Sequence, residues 1–526
     1  MIARTWTQLI AASAALWIAA AAGAAAAQCP AEAPTGVFKG ATAGTGAQRT
    51  EVMLNLACDD GRYVAQFFTS AADFASTEAV VTPGHIRLTL DARARGGTAD
   101  LTLAGDTLTG RLQAGAASGD VTLVRSGRPL ALDALRPTLA LSKAQWREDL
   151  AAFAAELPKR HANAFFYLPK ARFEAEIASL DRRLGQLNDD EIFVGIERLT
   201  NAIGDGHTYL TLPRDRRSLP IEIARFGAGP KAELRVVAAG PGYEQALGAK
   251  IVKIGATPVA EAWRRVLTLT PQQELPALQE GRAASYLASG LLLHGLGIIP
   301  DREHAVFTLR DDAGRAFTLD VAGLAPGASA ALKPMATGKG VAQENPKAAF
   351  WCRELADQHA VYCGFRAYDN LGRGRNEMLA LIEKAHPGKL IIDMRDNGGG
   401  DNTLGYAFVI KPLEAMPQIN QKGRLYVLVG ALTFSAAMNN AAQFQDETQA
   451  ILVGQQIGEK PNSYQEPRQF RLPNSHLIVR ASSLYYKFRA KGPNAVTPDK
   501  TIVPTWDDVK AGRDPVLDWV LAQPTP

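Results

Sequence analysis

The chain has 526 residues, with 57 basic against 53 acidic side chains and a formal net charge of +4. That length accommodates about three domains. The balanced charge, with no basic patch or stripe, argues against a nucleic-acid partner, and only the N-terminal stretch is apolar enough to span a membrane.

The first 27 residues read as an export signal. Arg4 supplies the positive start, Leu9 to Ala22 the apolar centre, and Ala25-Ala26-Ala27 the small-residue cleavage site. The alternative for this stretch is an N-terminal membrane anchor. Gln28 precedes Cys29, whereas a lipoprotein cleavage site places a small residue there. The expected product is exported, most simply to a bacterial periplasm, with no stable membrane span once the signal is removed. Export favours disulfides over redox or metal roles for the four cysteines. They fall into two local pairs, Cys29 with Cys58 and Cys352 with Cys363; four buried thiols are the alternative. The chain contains no C-x-x-C and no H-E-x-x-H, so no metal is expected.

Residues 28–135 predict a small all-β module, sandwich or barrel. Val52 to Leu56, Tyr63 to Phe67 and Ile86 to Leu90 alternate like strands, with Gly61, Gly84, Gly97 and Gly110 marking turns. Residues 136–215 switch to helical period. Ser142-x-x-Gln145 is a capping box, and Trp146, Leu150, Phe153 and Leu157 form one stripe that Pro158 should end. Pro169 to Leu187 gives a second helix, and Asn188-x-x-Glu191 opens a third that Gly204 should close. Asp205-Gly206-His207-Thr208 follows, at a helix-to-strand turn.

Residues 216–340 alternate strands with one or two helices; Ala246 to Gly255 with Pro258-Val259 resembles part of a PDZ domain, a module that binds peptide ends by strand addition. Residues 341–526 alternate strand and helix, a pattern of parallel strands with crossover helices. Two of these strands end in chemistry-bearing turns. Leu390-Ile391-Ile392 stops at Asp393 and runs into Arg395-Asp396-Asn397-Gly398-Gly399-Gly400. Leu425 to Val429 delivers Thr433-Phe434-Ser435-Ala436-Ala437. In open α/β sheets, sites collect beyond the carboxyl ends of parallel strands.

Gly204 to Thr208, Asp393 to Gly400, Thr433 to Ala436, and Val453-Gly454 with Lys460, together and in this order, resemble the tail-specific serine proteases, or C-terminal processing peptidases. Relatives of that family include the tricorn protease core and the repeats of interphotoreceptor retinoid-binding protein. The resemblance covers most of residues 140–520 and implies a multidomain α/β protein with a ClpP/crotonase-like core. It implies a serine-type peptidase acting on peptide or protein substrates without a cofactor.

A serine that opens a helix is often only an N-cap. Small neighbours, the positive helix end and the resemblance together assign Ser435 as nucleophile. The Ala436 N–H with those of Gly398 and Gly399 would form the oxyanion hole. Two bases are available. Lys460 stands where C-terminal processing peptidases place their catalytic lysine, and His207 where the tricorn branch places its histidine. That branch also uses a serine before the histidine and a late glutamate; Gly206 and Gly492 hold those places here. The expectation is that Lys460, desolvated with help from Tyr485, Tyr486 and Phe488, contacts Ser435, with His207 in support and Asp205 orienting it. Asp393 and Arg395 read as a structural clamp on the glycine turn. A non-catalytic peptide- or lipid-binding relative and an esterase are the rival functions. The residues do not specify an oligomeric state.

Overall fold

The computed structural model describes residues 29, 34–43, 49–94, 96–213, 215–326, 328–335 and 340–526. The expected export signal lies outside them. The chain divides into two units, Met1–Arg136 and Pro137–Pro526.

In the first unit, eight antiparallel strands from Gly36–Thr42 to Gly119–Gly127 close into a barrel. Alternation builds it. In the strand His85–Leu90, Ile86, Leu88 and Leu90 are buried, while Arg87 and Thr89 face out. Closure leaves no free sheet edge to solvent. Cys29 and Cys58 are disulfide-bonded with their Cα atoms 6.2 Å apart.

The second unit begins with three helices, Lys143–Arg160, Lys170–Arg183 and Asp189–Ala202. Both expected capping boxes form, Ser142 with Gln145 and Asn188 with Glu191. The first helix runs through Pro158 to Arg160 rather than stopping at the proline. Only Lys159 and Arg160 lie beyond it, so the bend a proline imposes displaces little of the helix. Beyond the third helix, Gly204 turns the chain with φ +113°.

A mixed region follows. Five strands lie in the order Ile221–Phe226, Glu233–Ala239, Lys250–Ile254, His304–Arg310 and Ala316–Ala322, with two short strands attached. Helices Val259–Leu267 and Pro276–Tyr286 pack on this sheet.

The last sheet has six strands: Phe350–Leu355, Ala360–Phe365, Lys389–Asp393, Leu425–Val429, Ile451–Gly454 and Lys500–Thr501, in that spatial order. The first pair is antiparallel and every later pair parallel. Its central strands are near-continuous apolar runs because both faces are covered. Ile392, Val427 and Val429 pack toward the helices Leu371–Ala385 and Ala436–Glu447. Ile391, Tyr426 and Leu428 face the helix Pro515–Ala522. Cys352 and Cys363 stand opposite each other on the antiparallel pair and are disulfide-bonded. A small separate sheet joins Asn462–Arg471, Ile478–Lys487 and the two-residue strand Tyr209–Leu210.

Among the described residues, no helix is long and apolar enough to cross a membrane.

Candidate functional site

Adjacent parallel strands deliver the glycine turn and Ser435. Asp393 ends one strand and Val429 the next, with Asp393 in register with Leu428. Thr433 ties the two turns together: its hydroxyl donates to the Met394 carbonyl at 2.8 Å and accepts the Gly430 N–H at 3.0 Å. The Phe434 N–H donates to the Asn397 carbonyl at 3.0 Å.

Ser435 sits between strand and helix with φ 55° and ψ −126°. A non-glycine residue held there costs about 1–3 kcal/mol, and such strain clusters at functional sites. Its side chain makes no capping hydrogen bond to the helix it precedes. A simple N-cap serine would spend its hydroxyl on that bond. Here the hydroxyl stays available.

The Ser435 N–H donates to Glu459 Oε2. The other oxygen, Oε1, lies 3.1 Å from His207 Nε2. Glu459 has no solvent exposure, and the His207 side chain is only 9% exposed. One buried carboxylate therefore holds both the serine backbone and the histidine ring. An ionised carboxylate only accepts, so facing one, Nε2 is the donor and a neutral ring keeps its lone pair on Nδ1. The His207 ring also stacks on Phe434, centroids 4.6 Å apart.

Sheet pairing explains how residues so distant in sequence meet. Leu210, just after His207, pairs with Val479, and the strand that begins just after Glu459 and Lys460 pairs with the other edge of the same strand. Glu459 was not singled out from sequence. Its only signal is its place beside Lys460.

Asp205 serves the loop backbone rather than the His207 ring. Oδ1 accepts the His207 N–H at 3.1 Å, the Thr208 N–H at 2.8 Å and the Ser482 hydroxyl at 2.6 Å. Oδ2 pairs with His161 Nε2 at 2.9 Å. Burial pushes this carboxyl up, but the hydrogen bonds from His161, Ser482 and Thr208 and the His161 charge hold it below the usual range.

Lys460 does not meet Ser435. Its ammonium donates to the Gln273 carbonyl and lies 5.5 Å from the centre of the Tyr167 ring. A carbonyl and an aromatic face both attract a cation, and they draw it away from the serine, whose N–H side is occupied by Glu459. Tyr485 packs on Tyr464 and Tyr486 on Phe488, so the ring beside the ammonium is Tyr167 instead.

Of the three expected oxyanion donors, Gly399 is committed elsewhere: its N–H donates to Asn397 Oδ1 at 3.0 Å. Among the described residues, the Gly398 and Ala436 N–H groups have no acceptor. Gly399 matters through its missing side chain. With φ +104°, a Cβ there would lie 2.7 Å from Ser435 Cβ and 3.2 Å from the Ala436 nitrogen. The space beside the serine exists because that position is glycine.

Asp393 and Arg395 form the expected clamp and extend it. Arg395 contacts Asp393 at 2.6 Å and grips both oxygens of Asp514 at 2.8 and 2.7 Å. The Tyr362 hydroxyl donates to Asp393 at 2.7 Å. Burial opposes the Asp393 charge, yet Arg395 and Tyr362 hold its pKa down. The glycine turn is thus pinned to the start of the last helix. At Gly206, a side chain would meet Phe434 and Leu278 at 3.0 Å. A side chain at position 206 would therefore crowd the Phe434 ring that stacks on His207.

No family model matches the chain, and no curated protein does. Solved structures do. Mature CPAF complexed with lactacystin superposes with a TM-score of 0.52 at 12% identity, over 72% of this chain and 98% of that one. A second structure of mature CPAF gives 0.48 at 12% identity, over 72% and 96%. The photosystem II D1 C-terminal processing protease gives 0.34 at 14% identity, over 70% and 98%. The first of these likenesses, above one half, shows a shared multidomain α/β fold.

Proposed function

We propose that this protein is an exported serine-type peptidase of the tail-specific family, with Ser435 as nucleophile and His207 as base. The observation that carries the reading is the Glu459 carboxylate, which accepts the Ser435 N–H and holds the His207 ring. Ser435 Oγ attacks the peptide carbonyl carbon while its proton passes to His207 Nδ1, and Glu459 stabilises the imidazolium that results. The oxyanion forms against the Ala436 and Gly398 N–H groups at the positive end of the helix. On collapse, the C–N bond breaks and His207 returns the proton to the leaving amine. A water then attacks the acyl-enzyme, gives its proton to His207, and releases the acid as Ser435 Oγ regains a proton. Lys460 would act from outside this transfer.

The proposed domains are the barrel, the helical segment, a PDZ-like module over 216–340 and a ClpP/crotonase-like core over 341–526. Two disulfides suit an oxidising compartment such as the periplasm.

The test is a fluorophosphonate probe with peptide mapping, alongside peptide and ester substrates. Labelling at Ser435, loss of labelling and of peptide cleavage in Ser435→Ala, and an unchanged melting temperature are expected. Peptide cleavage retained by Ser435→Ala sinks the assignment. Ester turnover without peptide turnover makes the protein an esterase.

A further inference from the structure

The loop Pro271–Leu275 runs between the two segments that carry His207 and Glu459. The Gln273 N–H donates to the Gly204 carbonyl at 3.1 Å, and the Leu275 N–H to the Gly458 carbonyl at 2.9 Å. Between them, Glu274 spans the gap. Its Oε1 accepts the Gly206 N–H at 3.0 Å and its Oε2 the Lys460 N–H at 3.1 Å. Gly206 and Lys460 are the immediate chain neighbours of His207 and Glu459. The close approach is built in: a Cβ at Gly458 would collide with the Leu278 backbone.

We propose that Glu274 is a positioning residue for the His207–Glu459 pair, its carboxyl setting the spacing of the two loops so that ring and carboxylate stay matched for reaction at Ser435. This rests on the reading of Ser435 as nucleophile. Glu274 is 7% exposed, and its carboxyl is spent on two backbone amides rather than on a cation. Burial of an acid beside other acids is costly, so a neutral side chain would suit a purely structural brace better. Burial foremost, then the Glu459 charge, pushes Glu274 up to about 8. The titratable groups that act on it are Glu459 on one loop, Asp205 on the other, and Tyr167; Arg282 donates to the Gly206 carbonyl at 2.6 Å. Ionisation of Glu274 adds a second negative charge beside the pair and favours the imidazolium.

The experiment follows the rate of Ser435 labelling by a fluorophosphonate from about pH 6 to about pH 10 in the full chain, Glu274→Ala and Glu274→Gln. Glu274→Ala is expected to label about tenfold to a hundredfold more slowly. Glu274→Gln keeps an oxygen acceptor but cannot ionise; it should recover most of that rate and lose the alkaline inflection of the wild type. A wild-type rate in Glu274→Ala, an equal loss in both variants, or superimposable pH profiles for wild type and Glu274→Gln overturns the proposal. Where Glu274→Ala does not fold, the Glu274→Gln profile decides. Amide exchange at Gly206 and Lys460 is read on the same proteins and should quicken at both positions in Glu274→Ala and at one or both in Glu274→Gln. If the wild type is not labelled at Ser435, the nucleophile reading fails, and exchange alone decides the clamp: unchanged exchange in both variants overturns it.

Discussion

His207 and Glu459 are joined by one hydrogen bond, 3.1 Å long, across 252 residues of sequence. Across it, an ionised carboxylate accepts the hydrogen of Nε2 and leaves the lone pair of a neutral ring on Nδ1. Glu459→Gln removes the charge that stabilises the imidazolium, and its amide can donate to Nε2 and so reverse the tautomer. Turnover is expected to fall by about a thousandfold or more, with the fold intact. Steady-state kinetics beside a circular dichroism spectrum checks this. A Glu459→Gln enzyme with near-normal kcat would show that the pair is only structural.

The two candidate bases separate cleanly. His207→Ala should abolish acylation of Ser435. Lys460→Ala removes an ammonium that rests on the Gln273 carbonyl and the Tyr167 face, so its loss should cost no more than about tenfold, through looser loop packing. The measurement is the acylation rate of both variants across pH. The reverse ranking restores the lysine as base.

Gly398 and Gly399 should respond differently to the same change. A Cβ at Gly398 meets nothing within 4 Å, whereas at Gly399 it meets Ser435 Cβ at 2.7 Å and the Phe434 carbonyl at 2.9 Å. Gly399→Ala is therefore expected to lose about a hundredfold or more in turnover by crowding the oxyanion site, while Gly398→Ala keeps its N–H and most of its activity. Kinetics of the two variants, with melting temperatures, reads this contrast. Equal activities would remove the glycine turn from the site.

Buried acids give the stability a pH dependence. Glu197 is fully buried, accepts the Asn201 amide at 2.9 Å and the Leu210 N–H at 3.3 Å, and is pushed by burial up to about 8. Its folded-state value lies above its ordinary 4.5. Between those values the folded state binds more protons than the unfolded one, so this contribution is complete at acid pH and is lost as pH rises toward about 8. Glu197→Gln cannot ionise. Its melting temperature should improve relative to wild type as pH rises through that window. A difference between the two proteins that stays constant with pH would reject the linkage.

What the sequence determined by itself is local or periodic. The barrel strands, the capping boxes at Ser142 and Asn188, the apolar runs that end at Asp393 and Val429, and the partners within each cysteine pair all follow from residues close together in the chain. The turn at Ser435 and the Asp393–Arg395 contact belong to the same class, since each is set within a few residues. Only the tertiary structure decided what lies beside the serine. Lys460 and Glu459 are adjacent in the chain, at a bend between the strands Ile451–Gly454 and Asn462–Arg471, and their side chains part there. One then reaches the carbonyl of Gln273 and the other reaches His207 and Ser435. That choice depends on the pairing of Leu210 with Val479 and on the loop carrying Glu274, contacts between segments far apart in sequence that no local pattern encodes.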